Sequence, residues 1–561
     1  MRNYQERYQS WLDSNRVDEA TKEELRSIAG NEKEIEERFY QDLEFGTAGL
    51  RGIIAAGTNR MNVYTVRRAT QGLINYLLKK DPATAQKGIA IAYDSRHMSD
   101  VFARETAAVA NGNGVKAYVF ESLRPTPELS FAIRTLGCKG GVVVTASHNP
   151  AQYNGYKAYW EDGCQIPPPM DEEVIEEVNR VDLFEGVKVM DRSQAEPAGL
   201  YIPLGETMDR QYLDTIHKLL VNKEELADCA ANLRIVYSPL HGTGRMPVMR
   251  ALKEAGFTSV YLVPSQAEPD GDFPTAPYPN PEDPKVFGPA IELGRQVDAD
   301  ILIATDPDAD RMGMMIRTGD GYQILNGNQM GVLLSSYLMK SRKAKGQLPE
   351  DSFMVSTVVS TTMCDAVAAQ YGVEVRRVLT GFKYIGQQIL RAEKTGRGTF
   401  VMGFEESYGY LCGTYARDKD AVGSVLVAAE MTAIAKQQGH SLLDELEALY
   451  RTYGYYEESV TALTFEGLEG AQQIQDIMKK LRENPKESYG GLKVLEIKDF
   501  AGGTDGLPPS NVLRFRLEEN SWFCVRPSGT EPKVKFYFGA KGASREEAQQ
   551  RLERVRTDVL A

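Results

Sequence analysis

Residues 140–157 read GGVVVTASHNPAQYNGYK. Val142, Val143 and Val144 form a continuous β-branched run, the pattern of a strand buried on both faces, and the polar residues follow it. That order places Ser147, with His148 and Asn149 beside it, at a strand end, where ligands bind in open α/β sheets. The same succession of apolar run, Gly-, Ser- or Asp-rich loop and helical pattern recurs along the chain. It appears in KGIAIAYDSR from Lys87, LRIVYSPLHGTG from Leu233, ADILIATDPDADR from Ala299, DSFMVSTVVSTTM from Asp351 and GTFVMGFEESYGY from Gly398. The repetition predicts an α/β protein with its chemistry in the loops after the strands.

A chain of 561 residues is long for one domain, and its loops suggest boundaries at 1–205, 206–318, 319–450 and 451–561. Between the strands, MDEEVIEEVNRVDLF from Met170 has apolar residues at helical spacing with carboxylates opposite, which predicts a solvated helix face. The segment Pro264–Pro284 is too rich in proline for a helix or a central strand and should run as a long ordered loop.

Composition narrows the function classes. Hydrophobic residues make up 42% and charged residues 25%, ordinary globular usage. A net charge of −13 opposes nucleic acid and anionic membrane surfaces as partners. The N-terminal stretch is charged throughout, and no run approaches the ~20 apolar residues of a membrane span, so a cytoplasmic location is expected. The six cysteines and five histidines are scattered singly, which favours reduced thiols and places any metal on oxygen ligands.

Four motifs then carry the chemistry. Ser147 at its strand end can act as a nucleophile or carry a phosphoryl group, or can simply cap its loop; it does not sit in a G-x-S-x-G elbow. In DPDADR, Asp306, Asp308 and Asp310 alternate along one loop, and three converging carboxylates require a cation, with Mg²⁺ the natural occupant of oxygen ligands. An EF-hand would need glycine and glutamate where Arg311 and Arg317 stand, a haloacid-dehalogenase-type phosphatase would not place Asp310 fifth, and a charged loop without metal is the plain alternative. Arg311 beside the cluster suits a phosphate neighbour. GFEESYGY offers Glu405, Glu406 and Ser407 as partners for sugar hydroxyls. RPSGTEPKVK, from Arg526, offers several donors to one anion, although a capped β-turn would look the same.

With these four motifs in this order, the chain resembles the α-D-phosphohexomutase superfamily of phosphoglucomutases and phosphomannomutases over essentially its whole length. Its helical extension before EFGTAGLRG and its LTGFKYIG wording are most similar to the branch holding long bacterial phosphoglucomutases and phosphopentomutases. The resemblance implies three mixed α/β domains plus a smaller α+β C-terminal domain around a central active-site cleft. It implies that Ser147 carries a phosphoryl group lent to the substrate, that Ser147, Asp306, Asp308 and Asp310 hold Mg²⁺, and that a sugar 1,6-bisphosphate is both intermediate and activator.

The resemblance also implies the remaining roles. Arg51 and Arg311 compensate charge and His148 and Lys157 lie near the hydroxyl. Lys157 is the candidate general base, with a pKa expected to be depressed by burial among cations and Mg²⁺; a lysine that only balances phosphate charge is the alternative. Thr380, Gly381 and Lys383 contact substrate, Glu405 and Ser407 hold ring hydroxyls, and Arg526, Ser528, Gly529 and Thr530 hold the phosphate that is not reacting. The loops YDSR and SPLHGTG are expected to complete the cleft. Many family members carry an arginine where this chain has Lys535, a point charge in place of a fork. The expected activity is interconversion of glucose 1-phosphate and glucose 6-phosphate, with small-molecule sugar phosphates as partners. A phosphopentomutase, a relaxed mutase that also takes mannose phosphates, a metal-dependent phosphatase and a non-catalytic sugar-phosphate sensor are the alternatives.

Overall fold

The computed structural model describes residues 4–46, 49–465, 467–504, 506–528 and 533–561. The chain opens with helices Tyr4–Asp13, Glu19–Ser27 and Glu32–Phe39. Asp18 and Asn31 cap the second and third by accepting from the amides of Thr21 and Glu34. Their apolar faces meet around Trp11, whose ring packs edge-on against Phe39 and Tyr64 at centroid distances of 5.8 and 5.2 Å. The extension is thereby pinned to Val63–Lys80, a helix that starts with a capping box between Asn62 and Thr65.

The chain forms two compact units. The first runs to Leu325 and takes in two later stretches, Gly386–Lys394 and Gly409–Ile434; the second comprises Asn326–Ile385, Thr395–Tyr408 and Ala435–Ala561. Within the first unit, β1 (Leu50–Ile53), β2 (Ile89–Tyr93), β3 (Ala117–Phe120), β4 (Gly140–Val144), β5 (Tyr153–Trp160) and β6 (Tyr201–Leu204) form one sheet in the order β1-β5-β4-β2-β3-β6. Strands β4, β2, β3 and β6 are parallel, and β5 and β1 are antiparallel additions. The parallel strands β2 and β4 are buried almost throughout, as their uninterrupted apolar composition requires.

The second sheet of this unit holds β7 (Arg234–Ser238), β8 (Ser259–Leu262), β9 (Ile301–Thr305), β10 (Met312–Arg317) and β11 (Tyr322–Leu325) in the order β11-β10-β9-β7-β8. Strands β8, β7 and β9 are parallel, and β9 returns through the aspartate loop into antiparallel β10. The proline-rich segment contains only short 3₁₀ turns, at Pro264–Gln266 and Pro284–Phe287, as its composition predicts. Strand β15 (Gly409–Leu411) and most of helix Ala421–Gln437 also belong to this unit.

In the second unit, β12 (Ser352–Thr357) is flanked by parallel β13 (Glu374–Val378) and β14 (Thr399–Glu405). Its last part is a sheet of antiparallel neighbours, β16 (Tyr455–Thr464), β17 (Ser488–Tyr489), β18 (Leu492–Asp499), β19 (Leu513–Leu517), β20 (Trp522–Pro527) and β21 (Lys533–Gly542), in the order β16-β21-β20-β19-β18-β17. Helices Gly467–Glu483 and Arg545–Leu560 supply Ile474, Met478 and Val555 to the core beneath it, against Phe515, Phe523 and Phe538. All six cysteines are buried as free thiols, and among the described residues no helix is long and apolar enough to cross a membrane.

Candidate active site

In the first unit, two loops bring Ser147 to the aspartates. Ser147 follows β4 in left-handed backbone geometry, with φ at +50°, and its amide donates to Thr145 Oγ1 at 2.8 Å. A side chain in that conformation costs roughly 1–2 kcal/mol, so the surrounding structure must hold it. Its Oγ donates to Asp306 Oδ2 at 2.8 Å and lies 3.2 Å from His148 Nδ1. Asp306 is fixed from its other oxygen, which accepts from the amides of Asp310 and Arg311 at 3.0 Å each. The SPLHGTG loop supports this turn: Thr243 donates its amide to the Pro307 carbonyl at 2.8 Å, and a Cβ on Gly242 would meet Pro307 Cα at 2.4 Å.

Oxygens of Asp306, Asp308 and Asp310 lie within 4.8 Å of one another, and all three residues are buried. Asp308 Oδ1 and Asp310 Oδ1 accept no hydrogen bond, a costly state for buried carboxylate oxygens. Oxygen-only donors with lone pairs left over fit a hard divalent cation.

Cations surround the triad. Lys157, on β5 across from Val143 of β4, places its Nζ 2.8 Å from Asp308 Oδ2 and 3.5 Å from Asp310 Oδ2. Lys419 reaches Asp310 at 2.9 Å, and Thr126 donates its hydroxyl to Asp308 at 2.8 Å. Burial pushes Asp306 well above the usual carboxylate range, helped by the two neighbouring aspartates. Burial acts the same way on Asp308 and Asp310, but Lys157 and Lys419 outweigh it and hold both below the ordinary value.

Facing the three carboxylates alone, Lys157 is raised and not depressed; the depression expected from the sequence belongs to a triad whose charge Mg²⁺ offsets. Burial does favour its neutral form, yet the facing charges of Asp308 and Asp310 outweigh it and raise the pKa. Sequence spacing could not weigh a partner lying more than a hundred residues away. His148 moves the other way, well below the usual imidazole value, through burial and then the charges of Arg311 and Arg51.

The remaining first-unit candidates flank this centre. Arg51 is exposed, with its Nη1 donating to Asn149 Oδ1 at 3.4 Å beside the serine loop. Arg311 is engaged by Glu282 at 2.5 Å and stands 3.9 Å from Asp310. Arg96 of the YDSR loop is buried, its guanidinium on backbone carbonyls of the Ser147 loop. Lys419 and Thr126 carry no ligand pattern in the sequence: Lys419 lies in the charged loop ARDKDA, and Thr126 opens helix Thr126–Leu136 between the prolines of RPTPEL.

In the second unit, the two acids of GFEESYGY separate. Glu405 is buried and accepts from the Gly381 amide at 2.7 Å. Gly381, with φ at +123°, is in a conformation side chains rarely adopt, and it opens helix Phe382–Thr395. Beside it Thr380 Oγ1 is buried without a hydrogen-bond partner. Lys383, in the first turn of that helix, lies with its Nζ 5.6 Å from the Tyr384 ring centroid. Glu406 serves the fold, accepting from Thr357 and Ser360 hydroxyls at 3.1 and 2.9 Å. Ser407 follows, half-buried.

Arg526 on β20 faces Lys535 on β21, and the Ser528 amide donates to the Lys533 carbonyl at 2.7 Å. Gly529 and Thr530 lie outside the described residues.

These features define a multidomain α/β protein with a buried hydroxyl set against three buried carboxylates that could hold a cation. The four models of the phosphoglucomutase/phosphomannomutase family match in order: the α/β/α domain I model at residues 42–184, domain II at 210–319, domain III at 326–453 and the C-terminal domain at 463–557. The chain belongs to that family, whose enzymes are isomerases that move a phosphoryl group within a sugar phosphate. A phosphoglucomutase of Staphylococcus haemolyticus is 36% identical over 527 residues, covering 92% of this chain and 93% of the relative. One from Staphylococcus aureus (strain USA300) is 34% identical over 554 residues, covering 96% and 97%. The fold is shared with the open form of the Paramecium phosphoglucomutase pp63/parafusin, with TM-score 0.70, 19% identity and coverage of 92% and 93% of the two chains.

Proposed function

We propose that this chain is a phosphoglucomutase that interconverts α-D-glucose 1-phosphate and glucose 6-phosphate through a phosphorylated Ser147 and a glucose 1,6-bisphosphate intermediate. The observation that carries the reading is the Ser147 hydroxyl 2.8 Å from Asp306, in a triad whose Asp308 and Asp310 oxygens are left without hydrogen-bond partners. Mg²⁺ on Asp306, Asp308 and Asp310, with a Ser147 phosphoryl oxygen, would polarise the group in transfer.

The chain's own residues do the rest. In the forward step the bond between phosphorus and Ser147 Oγ breaks as a bond to the free sugar hydroxyl forms, and the hydroxyl proton leaves to a base. Lys157 takes that role only if Asp308 and Asp310 are neutralised, since their charges keep it protonated. Ser147 then recovers a phosphoryl group from the other end of the bisphosphate, so the net change is one moved phosphate. Arg51, His148 and Arg311 offset charge around the transfer. Glu405 and Ser407 hold ring hydroxyls, with Thr380, Gly381 and Lys383 beside them. Arg526, Ser528, Gly529, Thr530 and Lys535 hold the idle phosphate. The domain division at residues 205, 318 and 450 and a cytoplasmic location belong to the same reading.

Purified protein supplied with Mg²⁺ and a trace of glucose 1,6-bisphosphate should turn over glucose 1-phosphate faster than mannose 1-phosphate or ribose 1-phosphate, and Ser147→Ala should abolish it. A tenfold higher kcat/KM for ribose 1-phosphate, about 1.4 kcal/mol of transition-state preference, would make it a phosphopentomutase. No turnover of any substrate would favour a sensor.

A further inference from the structure

We propose that Arg96 is a positioning residue that sets the geometry of the Ser147 loop, and that Phe273 of the proline-rich segment is the seat that holds Arg96 in place. The inference rests on the phosphoryl-transfer reading of Ser147. Arg96 is only 3% exposed, and its fork is spent on backbone carbonyls of one loop. Nη2 donates to the carbonyls of Ser147 and Asn149, and Nη1 to those of Pro150 and Tyr153 at 2.9 and 3.1 Å.

Carbonyl dipoles converging on one point repel each other unless a cation gathers them, and a planar fork can serve several at fixed angles where an ammonium cannot. The Ser147 carbonyl is one of them, so the guanidinium holds the residue whose left-handed backbone aims Oγ at Asp306.

Arg96 is itself oriented from two sides. Asp94, which accepts from Ser99 Oγ at 2.7 Å, lies 3.3 Å from its Nε. The fully buried Phe273 ring lies 4.9 Å from the guanidinium carbon. Next to Phe273 in the chain, Asp272 reaches His97 Nε2 at 2.7 Å, and further along the same segment Glu282 grips Arg311 beside the aspartate loop. One segment therefore braces both the serine side and the acidic side of the site.

The test uses full-length Arg96→Lys, Phe273→Leu and the double variant. It reads kcat, KM for glucose 1-phosphate, the rate at which glucose 1,6-bisphosphate loads phosphate onto Ser147, and the melting temperature. Arg96→Lys is expected to lower kcat and the loading rate at least 100-fold with KM within threefold, and Phe273→Leu about tenfold. The double variant should be no more than about twofold worse than Arg96→Lys, because both act through one contact.

A kcat within threefold of wild type in either folded variant, or KM rising in step with the loss of kcat, would overturn the inference. If Arg96→Lys does not fold, Phe273→Leu decides alone. Should the wild type turn over no sugar monophosphate, the proposed function falls, and the Ser147 loading rate still judges Arg96.

Discussion

Arg526 and Lys535 stand directly opposite each other across β20 and β21. Side chains so paired are about 5 Å apart at Cβ, close enough for both charges to reach one phosphate. Lys535→Met should raise KM for glucose 1-phosphate on the order of tenfold with kcat within threefold, because the idle phosphate contributes binding and not chemistry. A kcat loss larger than the change in KM would place Lys535 at the reacting end.

Metal binding is predicted from the orphaned oxygens of Asp308 and Asp310. Millimolar Mg²⁺ should raise the melting temperature of wild type, by linkage to the native state, and chelation should reverse it. Asp310→Ala should abolish the shift. A wild-type protein indifferent to Mg²⁺, Mn²⁺ and Zn²⁺ would remove the cation from the triad.

Asp308 is the main counter-charge of buried Lys157. Asp308→Ala removes the nearer of the two carboxylates facing that ammonium, leaving Asp310 at 3.5 Å, and should lower the melting temperature as well as abolish turnover. Lys157→Met should lower kcat at least 100-fold. A folded Lys157→Met enzyme within threefold of wild type would take Lys157 out of the reaction.

Glu458 on β16 sets a pH dependence. Burial raises its carboxyl to about 7, with Glu457 adding and Thr361 and Arg377 opposing. An unfolded glutamate ionises near pH 4.3, so the native state binds the extra proton between the two values and stability falls as pH rises through that window. With the side chain partly exposed, the effect should be about 2 kcal/mol. Glu458→Gln should match wild type near pH 4.5 and melt several degrees higher at pH 8; equal melting at both would refute the shift.

The loops that carry the candidate site were legible because each follows an unmistakable apolar strand, as at Val144 and Thr305. The sequence also carried the oxygen-only character of the triad and the extended course of the proline-rich segment. Pairings across sequence distance were not legible. Nothing near residue 157 announces Asp308, and nothing in YDSR distinguishes a surface arginine from one gathering carbonyls, because that depends on how β2 and β4 align. The two acids of GFEESYGY look equivalent in the sequence, and only packing turns Glu406 toward Thr357 and Ser360.

Lys419, the cation beside Asp310, lies in a stretch of chain that returns to the first unit after part of the second has been built. During synthesis on the ribosome, the acidic turn emerges long before that lysine does. The nascent first unit must therefore wait with its carboxylates under-compensated, and a fragment ending at Leu325 should not acquire a settled acidic loop. Completion of this site waits on translation of a distant segment, so only a piece that runs through Gly409–Ile434 carries every residue the acidic loop needs.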